Sequence, residues 1–155
     1  ANGMPLGAVI GKKNIMDKYD KACPESTRAG NEISCAASLA ALNVIEKEQL
    51  LKQTMKIGNH MIKRLHEMSE EHEIIGDIRG KGLLIGVELV KDRISKKPDI
   101  EKIIELRTRV RKKGLILSSC GTYRQVIKIA PPLIISEEEA DVGLNIFEDT
   151  IKEIE

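Results

Sequence analysis

"IIGDIRGKGLLIGVELV", residues 74–90, decides how the rest of the chain is read. The segment Ile74 to Ile78 alternates apolar and small or polar residues, Gly80-Lys81-Gly82 interrupts it, and Leu83 to Val90 is almost continuously apolar. A period near two on both sides of a glycine turn predicts two strands of a sheet, the second buried on both faces. Gly80-Lys81-Gly82 is not a phosphate-binding P-loop. It lacks the four-residue loop before the Gly-Lys pair, and Leu83 stands where a Ser or Thr would hold magnesium.

Beyond this pair, "KDRISKKPD" reads as a polar loop, Ile100 to Lys113 as a helix, and Gly114 as the glycine that ends it. "LILSS" and "VIKIA" are two further short strands joined at Cys120-Gly121-Thr122, and Pro131-Pro132 stops the second. Ser136 followed by Glu139 forms a capping box ahead of a last helix carrying Ala140, Leu144, Ile146, Phe147 and Ile151.

Before the pair, Ile33, Ala36, Ala37, Ala40, Ala41, Val44 and Ile45 recur at helical spacing behind Asn31, a good N-cap. A second set, Leu50, Leu51, Met55, Ile62, Leu65 and Met68, carries the helical pattern to about Glu71, with a bend expected at residues 48–50. Residues 23–30, "CPESTRAG", form a loop, and Leu6 to Ile10 is expected to be a short buried strand.

The 155 residues are enough for one core, and 25 Lys and Arg against 24 Asp and Glu leave a net charge of +1. That balance gives no global pull toward nucleic acid or an anionic membrane. No run reaches the length of a membrane span and no secretory leader is apparent, so a cytoplasmic protein is expected. Cys23, Cys35 and Cys120 are unevenly spaced and lack a C-x-x-C pair, which predicts free thiols in the core or at a pocket wall. The near absence of aromatics, with Lys and Glu dominating the surface, is a weak mark of adaptation to heat.

His60, His66 and His72 recur every six residues, which turns successive side chains by about 120° on a helix. They cannot converge on one metal, and they are expected at surface helix positions; no metal site is assigned. The basic run "RTRVRKK", 107–113, has no interleaved aromatic and reads as one polar helix face, its charges suited to the C-terminal end of the dipole.

Four blocks, "ANGMPLGAVIGKKNIMD", "STRAGNEISCAASLAALNVIEKE", "IGDIRGKGLLIGVELVKD" and "GLILSSCGTYRQVIKIAPPLIISEEE", closely resemble in order the C-terminal part of the class III aminotransferases. These are pyridoxal-phosphate enzymes that include 4-aminobutyrate, acetylornithine and ornithine aminotransferases and some amino-acid racemases. The resemblance implies an α/β (α+β) fold, the C-terminal small domain of a fold-type I transferase. Its small, mainly antiparallel sheet, residues 74–135, would be covered on one side by the helices at 100–113 and 136–153. Residues 1–30 would be a remnant of the large cofactor domain, 31–72 an interdomain helix region, and 73–155 the small domain.

Several site expectations follow from the same resemblance. The Schiff-base lysine stands upstream of Ala1, so the chain alone is expected to be an inactive fragment with no catalytic residue of its own. Thr27 matches the threonine that reaches a neighbouring subunit's cofactor phosphate, although Arg28, Ala29 and Glu32 depart from the usual flanking residues. Lys128 stands where an arginine commonly grips the substrate carboxylate, and a lysine offers a point charge in place of a planar fork. Arg79 matches a position expected to tie the turn to a nearby carboxylate. The implied partners are an amino donor, a 2-oxo acid and a second copy of the enzyme, with pyridoxal phosphate as cofactor in the intact dimer and none bound by the fragment. A racemase with the same cofactor, and a non-catalytic binding or assembly module, are the alternatives.

Overall fold

The structure is a computed structural model, and it describes residues 2–18 and 27–155. The chain divides into two compact units, Ala1–Gln49 and Leu50–Glu155. The division falls between two helices at Gln49, whose φ of 51° breaks the helical path. Where a bend was expected there are separate helices, α2 (Glu32–Lys47) and α3 (Leu50–Glu71).

The second unit is built on a four-stranded antiparallel sheet in the order β1-β2-β4-β3. Its strands are β1 (Ile75–Lys81), β2 (Leu84–Leu89), β3 (Ser118–Cys120) and β4 (Val126–Ile129). The hairpin read from residues 74–90 is present, with Ile78 opposite Val87 and Gly80 opposite Ile85, but its second strand is buried on one face only, Leu84 at its start being exposed. Strand alternation sends Ile85, Val87, Ile127 and Ile129 to one face, where they meet helices α3, α4 (Ile100–Lys112) and α5 (Glu137–Ile154). Leu65, Leu106 and Phe147 supply the centre of that core. One face of the sheet is thus covered, as expected, but α3 joins α4 and α5 in covering it because Ile57, Met61, Leu65 and Met68 form an inward stripe.

One close approach fixes α3 on the hairpin. Gly58 lies so near the β1–β2 turn that a Cβ would stand 2.2 Å from the carbonyl oxygen of Gly82, itself at φ +56°. The side-chain-free surface of Gly58 is therefore what lets helix and turn touch. The last helix begins as its sequence predicts. Ser136 Oγ accepts from Glu139 N at 3.1 Å and Glu139 Oε2 accepts from Ser136 N at 2.9 Å.

The first unit holds a one-turn helix, α1 (Lys13–Met16), and α2, whose Asn31 side chain accepts from Ser34 N at 3.1 Å. Leu6–Ile10 is not a strand: it pairs with no other described backbone, and Val9 and Ile10 are exposed. Apolar residues make a strand only where a ladder partner exists. On α2 the expected apolar face is likewise mostly open, with Ile33 and Val44 exposed. Among the described residues no helix is long and apolar enough to cross a membrane.

Candidate active-site residues

Register brings together residues that are far apart in sequence. Arg79 of β1 lies opposite Gly86 of β2, Gly86 opposite Lys128 of β4, and Lys128 opposite Ser118 of β3. This row crosses the whole sheet on the face turned away from the helices. The neighbouring row on that face runs Asp77, Glu88, Val126 and Cys120.

The two cations of the first row are in different states. Arg79 Nη1 is held by the Asp77 carboxylate and by Glu88 Oε2 at 3.0 Å. The hydrogen bond to Asp77, then that to Glu88, raises the guanidinium pKa above its ordinary value. Arg79 is thus committed to the turn, as the sequence anticipated. Lys128 is exposed and makes no hydrogen bond or ion pair among the described residues. It is an ammonium held in position by strand register alone, available to an anion.

Lys128 also borders, through its strand, a cavity of about 550 Å³ lined by Met61, Leu115, Leu117, Leu144 and Phe147. The flanking Ile127 and Ile129 face that helix-covered side, so alternation directs the ammonium the other way. Arg107, at the rim of the cavity, is occupied by donating to Leu117 O at 3.2 Å and to Ser119 Oγ at 3.3 Å.

Thr27 lies in the other unit, in an exposed turn that leads through Gly30, at φ +66°, to Asn31 and α2. Its hydroxyl makes no hydrogen bond among the described residues. The same loop's Asn31 already satisfies one N–H at the start of α2. The described residues therefore offer a phosphate one free hydroxyl, which fits a single contact and not a complete cradle.

The histidines differ from their predicted surface placement. His66 is exposed, but His60 Nε2 lies 2.7 Å from Asp141 Oδ1, bridging α3 to α5 beside Arg64, which donates to the same oxygen at 3.1 Å. His72, just past α3, is buried with Nδ1 2.6 Å from Glu155 Oε2. Helical spacing could show that the three diverge; it could not show that two of them face α5. Cys35 is half-buried and Cys120 exposed, both free, so Cys120 is not the core thiol expected, and Cys23 lies outside the described residues.

The aminotransferase class-III pattern matches residues 1–151 of this chain. The chain belongs to the class-III aminotransferase family. It is 44% identical over 153 residues to an alanine/serine racemase of Pyrococcus horikoshii, covering 99% of this chain and 32% of the relative. It is 39% identical to the 4-aminobutyrate aminotransferase of Escherichia coli, covering 99% of this chain and 36% of that protein. Among solved structures, an aminotransferase of Bacillus anthracis superposes with a TM-score of 0.81 at 32% identity, over 92% of this chain and 34% of the other. The chain therefore spans about a third of the length of these relatives. Within the class-III family, the small antiparallel sheet with helices on one face is the expected architecture of the part resembled, and it is the one found.

Proposed function

We propose that this chain works as the C-terminal part of a pyridoxal-phosphate-dependent aminotransferase, which moves an amino group from an amine or amino-acid donor, 4-aminobutyrate among the candidates, to a 2-oxo acid. The observation that carries the reading is the class-III match along residues 1–151. In this assignment residues 1–30 belong with the larger cofactor domain, 31–72 lead out of it, and 73–155 form the small domain. Two subunits complete the site, and the 155 residues alone are inactive.

When bound, pyridoxal phosphate supplies an electron sink for charge that develops at the amino-acid Cα. The residues described here serve it by binding and orientation. Thr27 donates its hydroxyl to the cofactor phosphate, and Lys128 holds a substrate carboxylate. Arg79 keeps the competing carboxylates Asp77 and Glu88 engaged, so that they do not neutralise Lys128. A lysine grips a carboxylate at one point, and its compact charge tolerates more than one substrate geometry.

The 44% identity to a racemase favours a second reading, an amino-acid racemase with the same cofactor. A binding or assembly module without catalysis is the third. The discriminating experiment uses the polypeptide as its source cell makes it, supplied with pyridoxal phosphate. Amino transfer to a 2-oxo acid supports the first reading, Cα–H exchange and inversion without transfer the second, and neither reaction the third. Lys128→Met should raise KM for carboxylate substrates by about 10–100-fold, the worth of a charge-assisted hydrogen bond. A KM within twofold of the parent's would remove Lys128 from the site.

A further inference from the structure

We propose that Glu71, His72 and Glu148 form a binding site for one divalent transition cation of zinc's class, clamping the end of α3 to α5. One ring nitrogen of His72 and one carboxylate oxygen from each glutamate all lie within 4.8 Å of one another. Ligands on a tetrahedral zinc stand about 3.3–3.6 Å apart, given bonds of about 2.0–2.2 Å, so modest rotation of two glutamate side chains closes the set.

The decisive observation is the state of the imidazole. His72 is only 5% exposed, and Nδ1 is taken by Glu155 Oε2 at 2.6 Å. Its Nε2 is buried with no hydrogen-bond partner among the described residues. If Nδ1 carries the proton that it donates to Glu155, Nε2 presents a lone pair, and the nearby carboxylates are acceptors as well. Glu148 already accepts from Lys152, but Nε2 itself is left without a partner, and a cation between it and the two carboxylates resolves this. The Glu155–His72 pair is also the outer-shell arrangement that fixes the tautomer of a metal-binding histidine and raises its basicity.

Access agrees with this assignment, and charge sets what the ion must displace. Glu148 is already met by Lys152 at 2.7 Å and by Arg64 at 3.6 Å, so these two cations compete with an incoming ion. Arg93, which donates to the His72 carbonyl at 2.9 Å, is a third cation beside the three glutamates, so the ion binds by displacing Lys152 from Glu148 and not through a net negative field. Glu71 is exposed, which gives the ion its entrance and leaves the fourth position to water. A nitrogen and two carboxylate oxygens suit zinc better than calcium or magnesium, which favour all-oxygen shells.

The test titrates zinc into the chain, with its cysteines alkylated so that thiolates cannot bind the ion, against a chromophoric chelator. One ion per chain is expected, with a rise in melting temperature that follows zinc concentration. Glu155→Gln should weaken binding about 10–100-fold while leaving all three ligands in place. Glu71→Gln, at an exposed position that folding does not need, should weaken it about tenfold or more. His72→Ala should abolish it. The proposal is overturned if no stoichiometric zinc binds, or if Glu71→Gln and Glu155→Gln bind as tightly as the parent. It is equally overturned if a proton alone answers Nε2, seen as a melting temperature that responds to pH and not to zinc.

Discussion

The two units treat the same kind of residue in opposite ways. In Leu50–Glu155 the apolar stripes of α3, α4 and α5 close on one face of the sheet, and Leu65, Leu106 and Val87 are 0% exposed. In the described residues before Leu50, Ser34 is the one buried residue, while Ile33, Leu39 and Leu42 lie open on α2. Both regions show helical periodicity in the sequence. The difference teaches that periodicity states which side of a helix is able to be buried, and only a facing surface decides whether it is.

The contrast can be tested by substitution, with stability read from chemical denaturation. Phe147→Ala should give the largest effect, a loss of about 3–5 kcal/mol from a side chain 1% exposed at the centre of the core. Leu39→Ala on α2 should change stability by no more than about 0.5 kcal/mol; a loss comparable to that of Phe147→Ala would erase the distinction between the units.

Gly58→Ala comes next. In an ordinary helix interior this exchange gains about 1 kcal/mol. Here the new methyl would meet the backbone of Gly82, so a loss of about 1–3 kcal/mol is expected, and a gain would mean that α3 does not seat on the turn. Ser136→Ala removes half of the capping box and should cost about 1 kcal/mol, with α5 fraying at its start in hydrogen exchange.

The smallest effect is one of pH. The hydrogen bond from Lys152, with help from Arg64, lowers the pKa of the Glu148 carboxyl below its ordinary value, and Lys113 does the same for Glu153. A carboxyl whose pKa is lower folded than unfolded stabilises the fold above the unfolded value and loses that contribution as pH falls through the folded one. Stability should therefore decline gently through the acid range below the usual carboxylate pKa, and Glu148→Gln should flatten that decline. Both pairs lie at the surface, so screening by salt keeps the effect slight.

Much of the second unit was legible because local signals agree there. The hairpin at 74–90, the helix ended by Gly114 and the box at Ser136 each rest on residues within a few positions of one another. The failures share one cause, dependence on distant partners. Leu6–Ile10 has a strand's composition without a ladder; His72 was read by helical angle, while its environment is set by Glu155. Thr27 and Lys128 were singled out only through family resemblance. The row that sets a free Lys128 beside a committed Arg79 exists only once three strand registers are known.

That row carries a consequence for how such a protein can change. Lys128 is flanked across the sheet by Gly86 and Ser118, and its orientation is guaranteed by Ile127 and Ile129 sinking into the core on either side. A slip of one residue would send the ammonium inward and both isoleucines outward. Yet exchanging the side chain itself disturbs neither isoleucine. Position 128 is thus decoupled from folding: lysine can be exchanged there for arginine or a neutral residue without placing the scaffold at risk.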